Sequence, residues 1–262
     1  MSIVAAAILP HSPLLLPGLN QEVKSQVTKT TRAIAELGHE LYARQIDVVF
    51  FLAAPGQGND LPNQFSLLPG AVLAYSFREF GDLKTVGEIQ IDIGLTHKIK
   101  ERCESRLLMP LITVKQLSYT FAVPWALLSQ FLLGKKIVCL QIPQSANFDD
   151  MSWLAETVKE VIDNQPVRVA LIAAGDLAHY TPTTDSNSRI FDQSYIKAIK
   201  LGAIDKLLNL DIELRERARE CLVNPTIFLH TLLRAHLLPA EVLSYANNLG
   251  TGMVVAHLPV NS

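Results

Sequence analysis

His11 stands where an apolar run, Ile3-Val4-Ala5-Ala6-Ala7-Ile8-Leu9, is stopped by Pro10-His11-Ser12-Pro13. A short apolar run ended by proline reads as a buried strand. An imidazole at the carboxyl end of such a strand lies where open α/β sheets place their ligands. His179 closes a second run of this kind, Leu171-Ile172-Ala173-Ala174-Gly175-Asp176-Leu177-Ala178-His179. Two imidazoles at strand ends can build one metal or acid–base site from distant segments. Asp176, three residues before His179, can orient that ring or cap the next segment. Glu220-Cys221 ends a charged segment just before Asn224-Pro225. A carboxylate joined to two histidines completes the 2-His-1-carboxylate triad of non-haem Fe(II) oxygenases, which leaves metal positions open for substrate and dioxygen. Plainer roles compete: a strand-end histidine can cap a loop, and a carboxylate at a helix end normally faces solvent. The remaining histidines read as structural. His39 and His97 fall on polar helical segments, and His257 lies in an apolar terminal strand. His230 and His236 are six apart and so do not share a helix face as an i, i+4 metal pair does.

The elements that must position these residues alternate along the chain. Strands are predicted at 3–9, 46–54, 71–76, 110–117, 136–142, 167–174, 241–245 and 252–257. Helices are predicted at 20–44, with Asn20 as its N-cap, and at 87–103, 123–133, 149–164, 189–209, 211–221 and 225–237. Segments 55–70 and 180–187, the second including Tyr180 and Thr181, read as polar loops able to line a pocket. Near-continuous apolar strands between helices predict a three-layer α/β/α sandwich around a mixed, largely parallel sheet, organised as one domain over 1–262.

The chain has 262 residues, 49% of them hydrophobic, enough for a core that needs neither disulfides nor a structural metal. A net charge of −2 without a basic tract argues against nucleic-acid binding. Cys103, Cys139 and Cys221 form no CxxC pair, which excludes a disulfide framework and a zinc ribbon. The apolar N-terminus lacks a basic leader and is broken by Pro10 and Pro13, so it reads as a strand rather than a signal peptide. With no apolar run of the roughly 18 residues a membrane helix needs, the expectation is a cytoplasmic protein that binds no membrane. No GxGxxG or GxxxxGK[ST] follows a strand, and no GxSxG occurs. A hydrolase or transferase using His179 with Asp176, and Cys221 as nucleophile, is therefore the weakest of the catalytic readings.

Ile8-Leu9-Pro10-His11-Ser12-Pro13, Phe80-Gly81-Asp82, Gly175-Asp176-Leu177-Ala178-His179, Ala218-Arg219-Glu220-Cys221, and Leu243-Ser244-Tyr245 with the later Gly250-Thr251-Gly252-Met253-Val254-Val255-Ala256 occur in an order that resembles the class III extradiol ring-cleavage dioxygenase superfamily. That superfamily includes the catalytic subunit of protocatechuate 4,5-dioxygenase and the Memo proteins. The resemblance implies a strand-end pocket where active members hold Fe(II) and cleave catechols beside the diol. His11 matches the first iron-ligand histidine, and His179 the acid–base partner of the catechol. Glu220-Cys221 falls where the third ligand is expected, a glutamate in active dioxygenases and a cysteine in Memo proteins. Glu220 is the favoured ligand, with Cys221 as the alternative.

Two positions depart from the family pattern. Active members end the second strand in Pro-His, the second iron ligand, whereas this chain reads Phe51-Leu52-Ala53-Ala54-Pro55-Gly56. The family's Asp-His-Gly is replaced by Ser118-Tyr119-Thr120, so Tyr119 takes the place of a pocket histidine. Glycine supplies no ligand, although Asn59 or Asp60 of the following loop offers an oxygen. Because even outer-shell losses weaken metal sites about 10–100-fold, Fe(II) binding is expected to be weak or absent. The implied function is an inherited dioxygenase pocket with altered or lost chemistry, taking a small aromatic or other small molecule. The alternatives are an active Fe(II) enzyme with a substitute ligand and a Memo-like binding domain. The edges of such a domain also allow a homodimer.

Overall fold

A computed structural model describes residues 2–19, 21–56, 61–180, 185–233 and 239–260. The expectations placed on Asn20, Asn59, Asp60, Thr181 and His236 lie outside the described residues. The chain runs β1 (Ile3–Leu9), α1 (Gln21–Ala43), β2 (Val48–Ala53), β3 (Ser66–Leu67), β4 (Val72–Phe77), β5 (Asp82–Ile91), α2 (Ile93–Cys103), α3 (Tyr119–Leu128) and β6 (Lys136–Gln141). It continues α4 (Phe148–Asp163), β7 (Val169–Ala174), α5 (Asp185–Lys200), α6 (Ile204–Leu208), α7 (Ile212–Ala218), α8 (Val223–Leu233), β8 (Glu241–Ala246) and β9 (Met253–Leu258). Short 3-10 turns occupy Pro13–Leu15 and Arg78–Phe80.

All these strands join one mixed sheet in the order β4-β5-β6-β2-β7-β1-β9-β8, with β3 paired to β6. The five strands from β5 to β1 are parallel, and β3, β4, β8 and β9 add antiparallel pairs. Alternate residues of each central strand go to opposite faces. Phe50 and Leu52 face a core built with α2, α4, α5, α6 and α8, while Val49 and Phe51 face one built with α1 and α3. Both faces are covered, which is why β2 and β7 are apolar at every position. Phe50 and Phe51 are each fully buried, contributing about 1.5–3 kcal/mol apiece. The three-layer architecture predicted from the sequence is the one observed.

Several element boundaries differ from the sequence expectations. The segment assigned to a helix over 87–103 is strand as far as Ile91, and the helix begins only where Asp92 caps it by accepting from the Leu95 N–H at 2.9 Å. Edge pairing with β4 outweighs the weak helical period there. The strand expected at 110–117 reduces to a single bridge between Leu67 and Leu111. The helix expected from 123 starts at Tyr119, because Ser118 caps it and Pro124 is tolerated inside. The long helix expected over 189–209 is interrupted at Gly202, whose φ of 62° is left-handed.

Register fixes the location of the site. Leu9 pairs with Ala174, Ala174 with Ala53, and Ala53 with Gln141. Four parallel strands therefore end in one row, and the segments after β1, β2 and β7 emerge side by side at the carboxyl edge.

Candidate functional site

His11 and Asp176 each lie two residues beyond a register-matched strand end. The His11 backbone N–H donates to Asp176 Oδ1 at 3.2 Å, and Asp176 Oδ2 lies 3.8 Å from His11 Nε2. Cys221 completes the group: its Sγ is 3.3 Å from His11 Nε2 and accepts the Asp176 backbone N–H at 3.2 Å. Gly175 allows this approach, since a Cβ there would stand 2.9 Å from the Cys221 carbonyl oxygen and 3.0 Å from Leu222 Cα. Burial lowers the His11 pKa to about 3, helped by the field of His179, so the ring is neutral. Burial also raises Asp176 to about 7, although the backbone N–H groups of His11 and Ser12 oppose the shift. The Cys221 thiol is pushed up by burial and then by the Asp176 carboxylate.

His179 is held by the backbone on both sides. Its N–H donates to the Ala218 carbonyl at 2.8 Å, and it bridges to Thr251 of the β8–β9 turn. Its ring Nδ1 lies 3.0 Å from the Arg219 carbonyl oxygen. A carbonyl only accepts, so Nδ1 carries the proton and Nε2 keeps its lone pair. Arg219 presents that carbonyl from a left-handed conformation, φ 53°, at the end of α7. Burial lowers the His179 pKa, and the neutral ring can accept a proton from a bound hydroxyl.

Tyr119, the first residue of α3, sets its ring edge-on to His11 (centroids 5.4 Å apart, planes at 68°) and to Phe80 (5.4 Å, 72°). Burial, with the charges of Cys221, Asp176 and Glu79 behind it, pushes its hydroxyl up to about 12, so it remains a donor. His179, Asp176 and Tyr119 line one open cavity of about 520 Å³, together with Ser12-Pro13-Leu14, Glu79, Phe80 and Thr251. His11 and Cys221 lie behind that wall.

Glu220, the favoured third ligand, is engaged elsewhere. Both carboxylate oxygens of Glu220 are engaged: Oε1 accepts from Arg215 Nε at 2.8 Å, and Oε2 accepts the Leu222 and Val223 N–H groups at 2.8 Å. Glu220 thus caps α8 and holds α7 to it, and its neighbour Cys221 is the residue that reaches His11. At Gly56, a Cβ would lie 2.2 Å from Ser118 Oγ. The serine that caps α3 fills the space where a side chain at this position would begin. Active members of the family use Fe(II). Among the described residues here, no three His, Cys, Asp or Glu side chains are grouped to hold a metal ion. The described donors are a histidine, a thiol already in hydrogen-bond contact, and a carboxyl tied to backbone amides, and among the described residues they do not make up a site for that metal.

Asp192 is a fully buried residue that sequence reasoning passed over. It accepts the Ala178 N–H at 2.9 Å and the Tyr245 hydroxyl at 2.6 Å, and it also bonds the Tyr180 hydroxyl. It fastens the His179 loop to β8. Its signal was a polar residue on the core ridge of α5, between the buried Ser188 and Tyr195. Glu79 was passed over too, although it directly precedes the Phe80-Gly81-Asp82 motif.

An open α/β sheet with a cavity at its parallel strand ends, walled by His179, Asp176 and Tyr119, defines the class of protein. The sequence profile of the catalytic LigB subunit of aromatic ring-opening dioxygenases matches residues 5–256, and the chain belongs to that family. Protein CA_C1420 of Clostridium acetobutylicum is 20% identical over 277 residues, covering 98% of this chain and 58% of its own length. This chain thus spans little more than half of that relative. The crystal structure of the uncharacterized protein JW3007 from Escherichia coli K12 has the same fold, with a TM-score of 0.62 at 13% identity over 98% of this chain and 100% of that one.

Proposed function

We propose that this chain keeps the family's strand-end pocket as a binding site for a small aromatic molecule and has lost Fe(II)-dependent ring cleavage. The observation that carries this reading is the filled position at Gly56, where Ser118 Oγ takes the space of the second ligand's side chain. Two further features support it. Glu220 spends its carboxylate on Arg215 and the α8 amides, and His11 Nε2 faces Cys221 and Asp176. Of the candidate ligands, His11 and Cys221 are neighbours, which supports reading the third-ligand region as the Memo-like cysteine kind. In the cavity, His179 Nε2 accepts a hydrogen bond from a phenolic hydroxyl, and Tyr119 donates one. Asp176 positions the Pro10–Ser12 turn through its amides.

Anaerobically prepared protein loaded with Fe(II) and desalted is expected to retain far less than one iron per chain and to consume no oxygen with catechol. Calorimetry with para-ethylphenol is expected to show binding that His179→Ala weakens about tenfold, the loss of one hydrogen bond to a buried partner. Near-stoichiometric iron with catechol-dependent oxygen uptake would overturn the reading. It would favour an active dioxygenase in which Asp60 serves as substitute ligand.

A further inference from the structure

The cavity has a charge inventory that the binding reading leaves unused. Its described lining includes two carboxyl groups, Asp176 deep within and Glu79 exposed at the mouth, and no lysine or arginine. Arg78 and Arg219 are near in sequence to lining elements, and Arg219 bears on His179 electrostatically, but neither lines the cavity. The walls beside Glu79 are the rings of Phe80 and Tyr119, set edge to face, with Pro13 and Leu14 also lining the cavity. A volume of about 520 Å³ suits a single-ring ligand with a short substituent.

We infer that this pocket selects a phenol carrying an ammonium group over one carrying a carboxylate. The inference rests on the small-aromatic reading above. A ligand carboxylate entering the mouth would meet the exposed Glu79 and, among the described lining residues, no lysine or arginine to pair with. An ammonium there pairs with Glu79 and can lie over the face of an aromatic wall, the arrangement that favours cations. The ring's hydroxyl is then directed inward to His179 Nε2 and the Tyr119 hydroxyl, which provide an acceptor and a donor and need no charge on the ligand.

Three probes separate the outcomes: tyramine, para-ethylphenol and phloretate share the phenol and differ in the charge of the side chain. Calorimetry on the full chain at low ionic strength is expected to rank tyramine first and phloretate last, with about tenfold or more between them. Glu79→Gln is expected to close most of that gap, read as the ratio of tyramine to phloretate affinity in the same variant. Glu79 sits exposed on a 3-10 turn, and an unaltered melting curve verifies that the variant folds. Equal or tighter binding of phloretate overturns the inference while the aromatic-site reading stands on para-ethylphenol. A preference that survives Glu79→Gln removes the assignment to that residue. Failure of all three probes to bind removes both readings together.

Discussion

At the scale of single residues, the position after Pro55 decides what this pocket can be. Glycine there is more than a missing ligand, because Ser118 has taken the vacated volume and uses the same hydroxyl to cap α3. A histidine cannot simply be put back: its Cβ would stand 2.2 Å from that oxygen. Gly56→His is therefore expected to lower stability by about 1–3 kcal/mol, the usual cost of forcing atoms into a packed site. Adding Ser118→Gly should recover most of the loss, since glycine at an N-cap costs only a few tenths of a kcal/mol. Urea unfolding of the single and double variants measures this, and a single variant as stable as the parent would contradict the packing around Gly56. His11 shows the same economy of space. Its neighbours Cys221 and Asp176 crowd the Nε2 side of a ring that burial keeps neutral.

At the scale of elements, the site is made by backbone approaches. The loop after β7 lies against the 220–222 segment between α7 and α8, and Gly175 makes that contact possible. Gly175→Ala places a methyl 2.9 Å from the Cys221 carbonyl oxygen, a backbone atom with little room to give. The expected result is a loss of about 1–3 kcal/mol in thermal or urea unfolding. Weaker para-ethylphenol binding should accompany it, because the same segment carries the Arg219 carbonyl that orients His179. Stability lost with binding untouched would mean that the 219–222 segment does not position the histidine. Asp192 serves a parallel purpose from α5, joining the His179 loop to Tyr245 of β8.

At the scale of the whole molecule, the two apolar cores bury ionisable groups whose titration couples to folding. His230 of α8 is buried, with both ring nitrogens lacking a partner among the described residues, and burial lowers its pKa to about 4. The unfolded chain binds the proton near 6.5 and the folded chain does not until about 4. The stability associated with this group is complete above pH 6.5 and falls as the pH drops toward 4. The fall amounts to about 3 kcal/mol. His230→Leu is expected to remove this part of the acid sensitivity, so the gap between variant and parent widens below pH 6.5. Urea unfolding at a series of pH values reads it directly, and parallel pH profiles would count against a neutral buried ring.

Composition and pattern alone determined a great deal. Fully apolar strands between amphipathic helices required a sheet covered on both faces, and proline after an apolar run marked where His11 leaves it. The helix expected over 87–103 and the strand expected over 110–117 failed for a common reason. Both lie beside the sheet's edge, where pairing partners rather than local period decide the state. The choice between Glu220 and Cys221 was likewise closed to sequence reasoning, because adjacent residues point in different directions and only the packed fold says which one meets His11. Tertiary structure turned Glu220 to Arg215 and Cys221 to the histidine, put Ser118 in the space beside Gly56, and brought Glu79 to the mouth of the cavity. Each depends on contacts between segments tens to hundreds of residues apart or on the direction a side chain takes, and neither is encoded in a local stretch of chain.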